Sequence, residues 1–258
     1  MGVSTDQIKK EITNRYDREA QEKANDEWLL RGNSPRVPES RASHYFIDRK
    51  VKQALAMSGL ADTHAANALE VGCSFGHMTS LLSKEFNKLT AVDLSPASVE
   101  IAEKRLAHYG IRNVTFVADD AEVLSKIPDA AFDIAFSFST IRFCPQPSEA
   151  LKAINRKLKP GGVAVIDFPN KYSPWHLFVK KAAGIEVHIF DTLYTVADAV
   201  RLFKDAGFEV QLVKRFLFTS KRLPSSVLPV FKVIEFILER IPFLPVFAGI
   251  IMVKGTKR

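Results

Sequence analysis

The residues best suited to chemistry begin in Ala68-Leu-Glu-Val-Gly-Cys-Ser-Phe-Gly76. A strand is expected to end at Val71 and a helix to start near Phe75, joined by a tight glycine turn. Gly72 and Gly76 let the backbone approach a ligand closely and take angles closed to other residues. Glu70, at the strand end, either binds a ligand directly or orients the loop. A turn of this kind is also used by dinucleotide-binding proteins, so it does not discriminate alone. A second acid, Asp93, closes the next strand in Leu89-Thr-Ala-Val-Asp93-Leu94, about 20 residues on, the spacing of an acid that accepts hydrogen bonds from ribose hydroxyls. The competing role is helix capping by Asp93-Leu-Ser95-Pro96, with Pro96 at the first helical position. Asp119-Asp120-Ala121-Glu122 follows the third strand, where an acidic side chain and a neighbouring amide can read an adenine edge, or form a solvated turn. Leu158-Lys-Pro-Gly-Gly162 reads as a structural helix stop, with Gly161 or Gly162 as C-cap.

Proton transfer from an acceptor points to His176 and His188, with Tyr172, Asp191 and Tyr194 nearby. Asn170-Lys-Tyr-Ser-Pro-Trp-His176 combines hydrogen-bonding and stacking groups where acceptors bind in open α/β sheets. The alternative is that these aromatics pack a lid and His188 sits on the surface. His77 fits a first-turn helix residue facing the ligand better than a base.

These residues need elements to hold them. Near-continuous apolar segments at 68–71, 89–92, 114–117, 132–138 and 163–168 alternate with helices expected at 76–86, 97–109 and 147–158, which indicates βαβ units and a parallel sheet buried on both faces. Upstream, a long partly exposed helix is expected over 4–31. A linker rich in turn formers ends near Ser40, and a second helix runs from Ser43, its N-cap, to Ser58. Residues 1–60 thus form an N-terminal helical cap, and 61–258 the main domain. Insertions are expected at about 170–194, after the fifth strand, and at 219–245, between the last two strands. A helix at 195–206 with Thr195 as cap, a strand at 208–218 and a last strand at 246–254 complete the chain. The apolar helix at 227–241 is broken by Lys232, Glu235, Glu239 and Arg240. It suits a core helix, a lid over a hydrophobic acceptor, a dimer contact or a membrane-surface anchor. Lys214-Arg215 and Lys221-Arg222 favour an anionic lipid or lipid-linked substrate.

The bulk numbers agree with one globular domain bearing additions: 258 residues, 47% hydrophobic and 25% charged. Cys73 and Cys144 are too few for a disulfide framework, which fits a reducing cytosol. No signal pattern follows Met1, and no uncharged apolar run reaches the roughly 20 residues of a membrane span. The net charge of +7 reads as solubility charge; finger spacings and RNA-recognition signatures are missing, so no nucleic-acid partner is expected.

Taken together, the glycine loop, Asp93, Asp120-Ala-Glu122, Phe132-Asp-Ile-Ala-Phe-Ser137 and Leu158–Gly162 resemble class I S-adenosylmethionine-dependent methyltransferases, in particular the small-molecule group that includes ubiquinone and sterol methylating enzymes. The resemblance covers about residues 60–210. It implies a Rossmann-like, doubly wound, seven-stranded, mostly parallel sheet, and S-adenosylmethionine as cofactor with S-adenosylhomocysteine as product. It also implies cofactor contacts from Glu70, Gly72, Cys73, Ser74 and Gly76 around the methionine part, Asp93 and Leu94 at ribose, and Asp119, Asp120 and Ala121 at adenine. Ser137 and Phe138 would line the strand end beneath the sulfonium. Ser74 departs from the family, which usually has glycine there. The expected reaction is in-line methyl transfer to a small, lipophilic or lipid-linked acceptor by a cytoplasmic enzyme with peripheral membrane contact. The oligomeric state stays open. The alternatives are a catalytically silent cofactor-binding protein and a nicotinamide-dependent reductase. No Tyr-x-x-x-Lys pair serves the latter, no Asn/Asp-Pro-Pro-Tyr motif points to amide or base nitrogens, and no acidic cluster suggests a metal.

Overall fold

A computed structural model describes residues 4–23, 40–179 and 191–258. Within them a seven-stranded sheet has the order β3-β2-β1-β4-β5-β7-β6. Its strands are β1 (Asn67–Val71), β2 (Lys88–Asp93), β3 (Val114–Ala118), β4 (Phe132–Ser137), β5 (Leu158–Pro169), β6 (Phe208–Phe216) and β7 (Ile250–Lys257). The first five are mutually parallel, and β7 runs antiparallel to both β5 and β6. Two parallel strands diverge from a central β1–β4 pair, and this reversal opens a crevice at their carboxyl ends.

Alternation along each strand separates two apolar layers. Leu69, Val71 and Ala135 face one side, where they join Leu151 and Ile154 of α5 (Pro147–Lys157) and Phe203 of α6 (Val196–Asp205). Ala68, Ile134 and Phe136 face the other and pack with Val51, Ala54 and Met57 of α2 (Arg41–Ser58). Ala20 of α1 (Thr5–Lys23) packs with Phe75 and with Ile101 of α4 (Pro96–His108). The sequence expectation for these elements holds to within a few residues, with four differences; the end of the helix expected at 4–31, the linker after it and residues 180–190 of the first insertion lie outside the described residues.

The helix expected at 76–86 shortens to α3, Thr79–Leu82, because Ser80 and Ser83 hydroxyls bond the carbonyls three residues back and i→i−3 bonds interrupt the ladder at Lys84 and Glu85. The cap of α2 is Ser40, whose Oγ accepts from the Ser43 amide at 3.1 Å, so Ser43 lies inside the helix. Gly161 and Gly162 are not a helix cap. The helix ends at Lys157 and the glycines lie in β5, where the pairing with β4 shifts register. The last strand begins at Ile250 because Leu244–Phe247 forms a 3-10 turn. The apolar helix is α7, Leu228–Leu238, and Thr195 caps α6 in a reciprocal box with Asp198.

Candidate active site

A cavity of about 520 Å³ opens at the carboxyl ends of β1, β2 and β4, and its wall includes Glu70, Gly72–Phe75, Asp93, Leu94 and Asp119–Glu122. The loop after β1 is shaped by two demands. The Gly72 and Cys73 amides both donate to the Val92 carbonyl, at 2.7 and 2.9 Å, which folds the loop back over β2. Gly72 holds φ +88°, and a Cβ there would stand 1.8 Å from Thr140 Oγ1, so only glycine fits. Ser74 also lies in the left-handed region, at φ +46°, which is the physical reason a glycine suits this position. Its amide donates to Asp93 Oδ2 at 2.8 Å, and this bond holds the serine in place.

Asp93 also accepts from the Ser95 amide at 3.0 Å, while the hydroxyl of Ser95 caps α4. The two readings of this stretch therefore divide between neighbours: Ser95 caps, and Asp93 stays in the cavity wall. Burial pushes the Asp93 carboxyl up, and the amides of Ser95 and Ser74 pull against that shift. Glu70 is buried, accepts from Thr79 Oγ1 at 2.6 Å, and is raised by burial to about 8. Its protonated form is the one the fold prefers. Its contribution to stability is therefore full below about pH 4.5 and is lost as pH climbs toward 8. We expect the denaturation midpoint of the ligand-free protein to fall between pH 5 and 8, and Glu70→Gln to flatten that fall; parallel slopes would remove Glu70 as the cause.

The Asp119 carboxylate accepts from the amides of Asp120 and Lys126, at 2.9 and 2.7 Å, and so organises the turn after β3. Lys9 of α1 inserts between Asp120 and Glu122, its Nζ 2.6 and 2.5 Å from their carboxylates. Burial opposes the charge on Lys9, but the two acids outweigh it and raise its pKa. Asp17 accepts from the Ser95 hydroxyl at 2.5 Å. Helix α1 is thus tied across the cavity at two points, with Ile12 and Tyr16 in the wall. Neither contact was legible in the sequence, because Lys9 and Asp17 lie in a polar helix with no motif around them.

Two of the expected contact residues stand elsewhere. Gly76 is absent from the cavity wall. It has φ +77° and packs against α4, where a Cβ would meet Leu106 and Ala102 at 3.1 and 3.3 Å. Ser137 is buried between strands and its hydroxyl donates to the Val71 carbonyl at 2.9 Å, tying β4 to β1, whereas Phe138, one residue on, does line the cavity. His176 and Trp175 line the cavity. His188 lies outside the described residues. Tyr194 is buried against Phe168, and Asp191 forms a two-pronged bond with Arg142 at 2.5 and 2.6 Å in the cavity wall. Tyr172 is exposed.

The sequence gives little hint of the buried pair beside the cavity. Lys50 of α2 and Asp167 near the end of β5 form an ion pair, and both side chains are fully buried. Lys50 also donates to Ser139 Oγ at 2.7 Å, and the Ser139 amide donates to Asp167 at 2.6 Å. Burial drives the Lys50 pKa down, against the pull of Asp167. An acid near the end of a buried strand was the one available signal. Among the described residues no cluster of His, Cys, Asp and Glu could hold a metal ion.

Sheet order and glycine loop are those of the Rossmann-like methyltransferase fold, and residues 69–166 match the family described as a methyltransferase domain. Over 108 residues the chain is 31% identical to the malonyl-[acyl-carrier protein] O-methyltransferase of Serratia marcescens, covering 41% of this chain and 39% of that one. It is also 31% identical over 103 residues to a sterol 4-C-methyltransferase of Caenorhabditis elegans, covering 39% and 30%. The chain spans less than half the length of these relatives. A Thermotoga maritima structure described as a possible histamine N-methyltransferase superposes with TM-score 0.63 at 21% identity, over 95% of this chain and 99% of that one, a likeness of fold.

Proposed function

We propose that this chain transfers a methyl group from S-adenosylmethionine to a small, lipophilic or lipid-linked acceptor, in peripheral contact with a membrane. The observation that carries the reading is the placement of two carboxylates, the buried Glu70 and the partly buried Asp93, at the ends of adjacent parallel strands on one cavity with His176. That donor set fits the cofactor: Glu70 suits a cationic group, Asp93 a pair of hydroxyls, and the glycine turn leaves room for close backbone approach. Glu70, Gly72, Cys73 and Ser74 would hold the methionine part, Asp93 and Leu94 the ribose, and Asp119, Asp120 and Ala121 the adenine, with Lys9 fixing the Asp120 carboxylate. When bound, the cofactor supplies a carbon activated by positive sulfur and open to in-line displacement. The chain's own groups exclude water through α1, orient the acceptor against Trp175 and Phe138, and take up its proton at His176 when the acceptor is a hydroxyl.

A cationic ligand draws Glu70 toward its charged form, so binding expels a proton and affinity should tighten as pH rises from about 6 to 8. Titration calorimetry in buffers of different ionisation enthalpy reads this directly; a proton-neutral association at pH 7 would count against the assignment of Glu70. Formation of S-adenosylhomocysteine on incubation with a lipid extract tests the activity. Binding of a nicotinamide dinucleotide instead of S-adenosylmethionine would overturn it. His176→Ala should lower turnover about 10²-fold or more while cofactor affinity holds. Unchanged turnover would take His176 out of the mechanism.

The sterol acceptor in one relative's name and the exposed apolar side chains of α7 support the lipophilic acceptor. Among the described residues no helix is long and apolar enough to cross a membrane. Contact with a bilayer would therefore be at its surface.

A further inference from the structure

Helix α7 is turned inside out. A helix on a protein in water buries its apolar stripe and exposes its charges. Here the two acids face inward. Glu235 is 1% exposed and accepts from Tyr45 Oη at 2.7 Å, the Phe218 and Thr219 amides at 2.8 Å, and Thr219 Oγ1 at 2.7 Å. Glu239 accepts from Arg49 Nη2 at 2.5 Å and the Leu217 amide at 3.0 Å. The apolar residues face outward: Val230, Val233 and Phe236 are 62, 61 and 58% exposed, with Ile234 and Ile237 beside them. Phe243, just past the helix, is 86% exposed and held at φ +71°, a conformation bulky residues rarely adopt. A patch of this kind marks an interaction surface.

The charge around it narrows the partner. Residues 210–258 hold nine lysines and arginines against two acids, an excess equal to the net +7 of the whole chain. Those two acids are Glu235 and Glu239, both bonded inward. Lys214, Lys221, Arg222, Lys232 and Arg240 are exposed around the apolar face with no exposed acid from the same segment. A two-fold contact between copies would set these cations against one another. An anionic bilayer satisfies both halves of the surface, taking the apolar side chains at the acyl boundary and the cations at the headgroups.

We propose that α7 and the Leu244–Phe247 turn lie in the interface of a membrane carrying anionic lipids, and that the acceptor is an amphiphile resident there. The β6–α7 connection carries the second half of this inference, since Phe218–Arg222 also line the cavity and so join the membrane face to the acceptor end. The identity of the acceptor rests on the methyltransferase reading; the membrane contact does not.

The test therefore uses binding, not turnover. The full chain is co-sedimented with phosphatidylcholine vesicles, with and without about one-third phosphatidylglycerol, at low and high salt. Binding to the anionic vesicles that weakens with salt is expected. Val233→Glu with Phe243→Glu should lower it about tenfold or more, with the circular dichroism melt unchanged because both side chains already face solvent. Lys221→Glu with Arg222→Glu should remove the preference for anionic vesicles. No binding at low salt, or equal binding by the Val233→Glu/Phe243→Glu variant, overturns the proposal. So does a dimer in sedimentation velocity that this variant dissolves while vesicles are ignored, which would assign the face to a second copy. If vesicle binding appears but lipid extracts yield no S-adenosylhomocysteine, the membrane face stands and the methyltransferase reading falls.

Discussion

Asp167→Ala should lower the unfolding free energy by about 3–5 kcal/mol, the cost of leaving a buried lysine without its counter-charge. Both members of the Lys50–Asp167 pair are fully buried, so water does not replace the lost partner. The loss extends beyond the charge. Asp167 also accepts from the Ser139 amide, and Ser139 precedes Thr140, whose side chain stands over Gly72. The pair thus braces the loop after β4 against the glycine loop after β1, and Asp167→Ala should weaken S-adenosylmethionine binding as well. A paired replacement separates charge from geometry. Lys50→Met with Asp167→Asn removes both charges and keeps an acceptor for the Ser139 amide. It should recover more than half of the stability lost in Asp167→Ala, because a buried ion pair contributes little net stability over an uncharged pair of similar volume. Urea denaturation of the variants closes the cycle. A paired variant no more stable than Asp167→Ala would show that the ion pair itself stabilises the fold.

Gly72→Ala is expected to be the most damaging change in the glycine loop after β1, at about 2–5 kcal/mol. The left-handed backbone costs a non-glycine residue about 1–2 kcal/mol. Overpacking adds about 1–3 kcal/mol, since the new Cβ would fall 1.8 Å from Thr140 Oγ1 and 2.6 Å from Thr140 Cβ. The two contributions can be told apart. Thr140→Gly in the Gly72→Ala background removes the clash and leaves the backbone cost, so it should restore the steric part only. Cofactor affinity by calorimetry and the urea midpoint should move together through this series. Full recovery in the paired variant would mean that φ at residue 72 carries no cost.

The strand ends that border the cavity were legible because their signals are local. Each apolar run followed by a turn and an amphipathic helix reports one strand–helix unit, and Glu70 and Asp93 could be placed at strand ends by counting alone. Ambiguity arose where a local pattern has two structural uses. Gly76, expected at the ligand, serves the close approach of α4, and the freedom of glycine is the same in either role. The family resemblance places Ser137 at the strand end beneath the ligand, and its hydroxyl bonds the neighbouring strand. The glycines at 161 and 162 looked like a helix stop and proved to be a register shift in β5.

The sequence by itself determined the class of fold, the crevice at the strand ends and the acids that border it, because short-range hydrophobic periodicity dictates which backbone groups pair with which. Only the tertiary structure decided which distant charges meet. Lys9 reaches Asp120 across 111 positions of chain, and Lys50 of α2 meets Asp167 of β5, and no spacing rule relates them. It also decided which way α7 turns. In the sequence, Glu235 and Glu239 only break an apolar helix and do not say which way they face. Here Tyr45, Arg49 and the amides of residues 217–219 hold them inside, which leaves the apolar residues facing out. Helical period shows that a helix has two faces; the bonds its charges find in the folded chain choose the one turned inward.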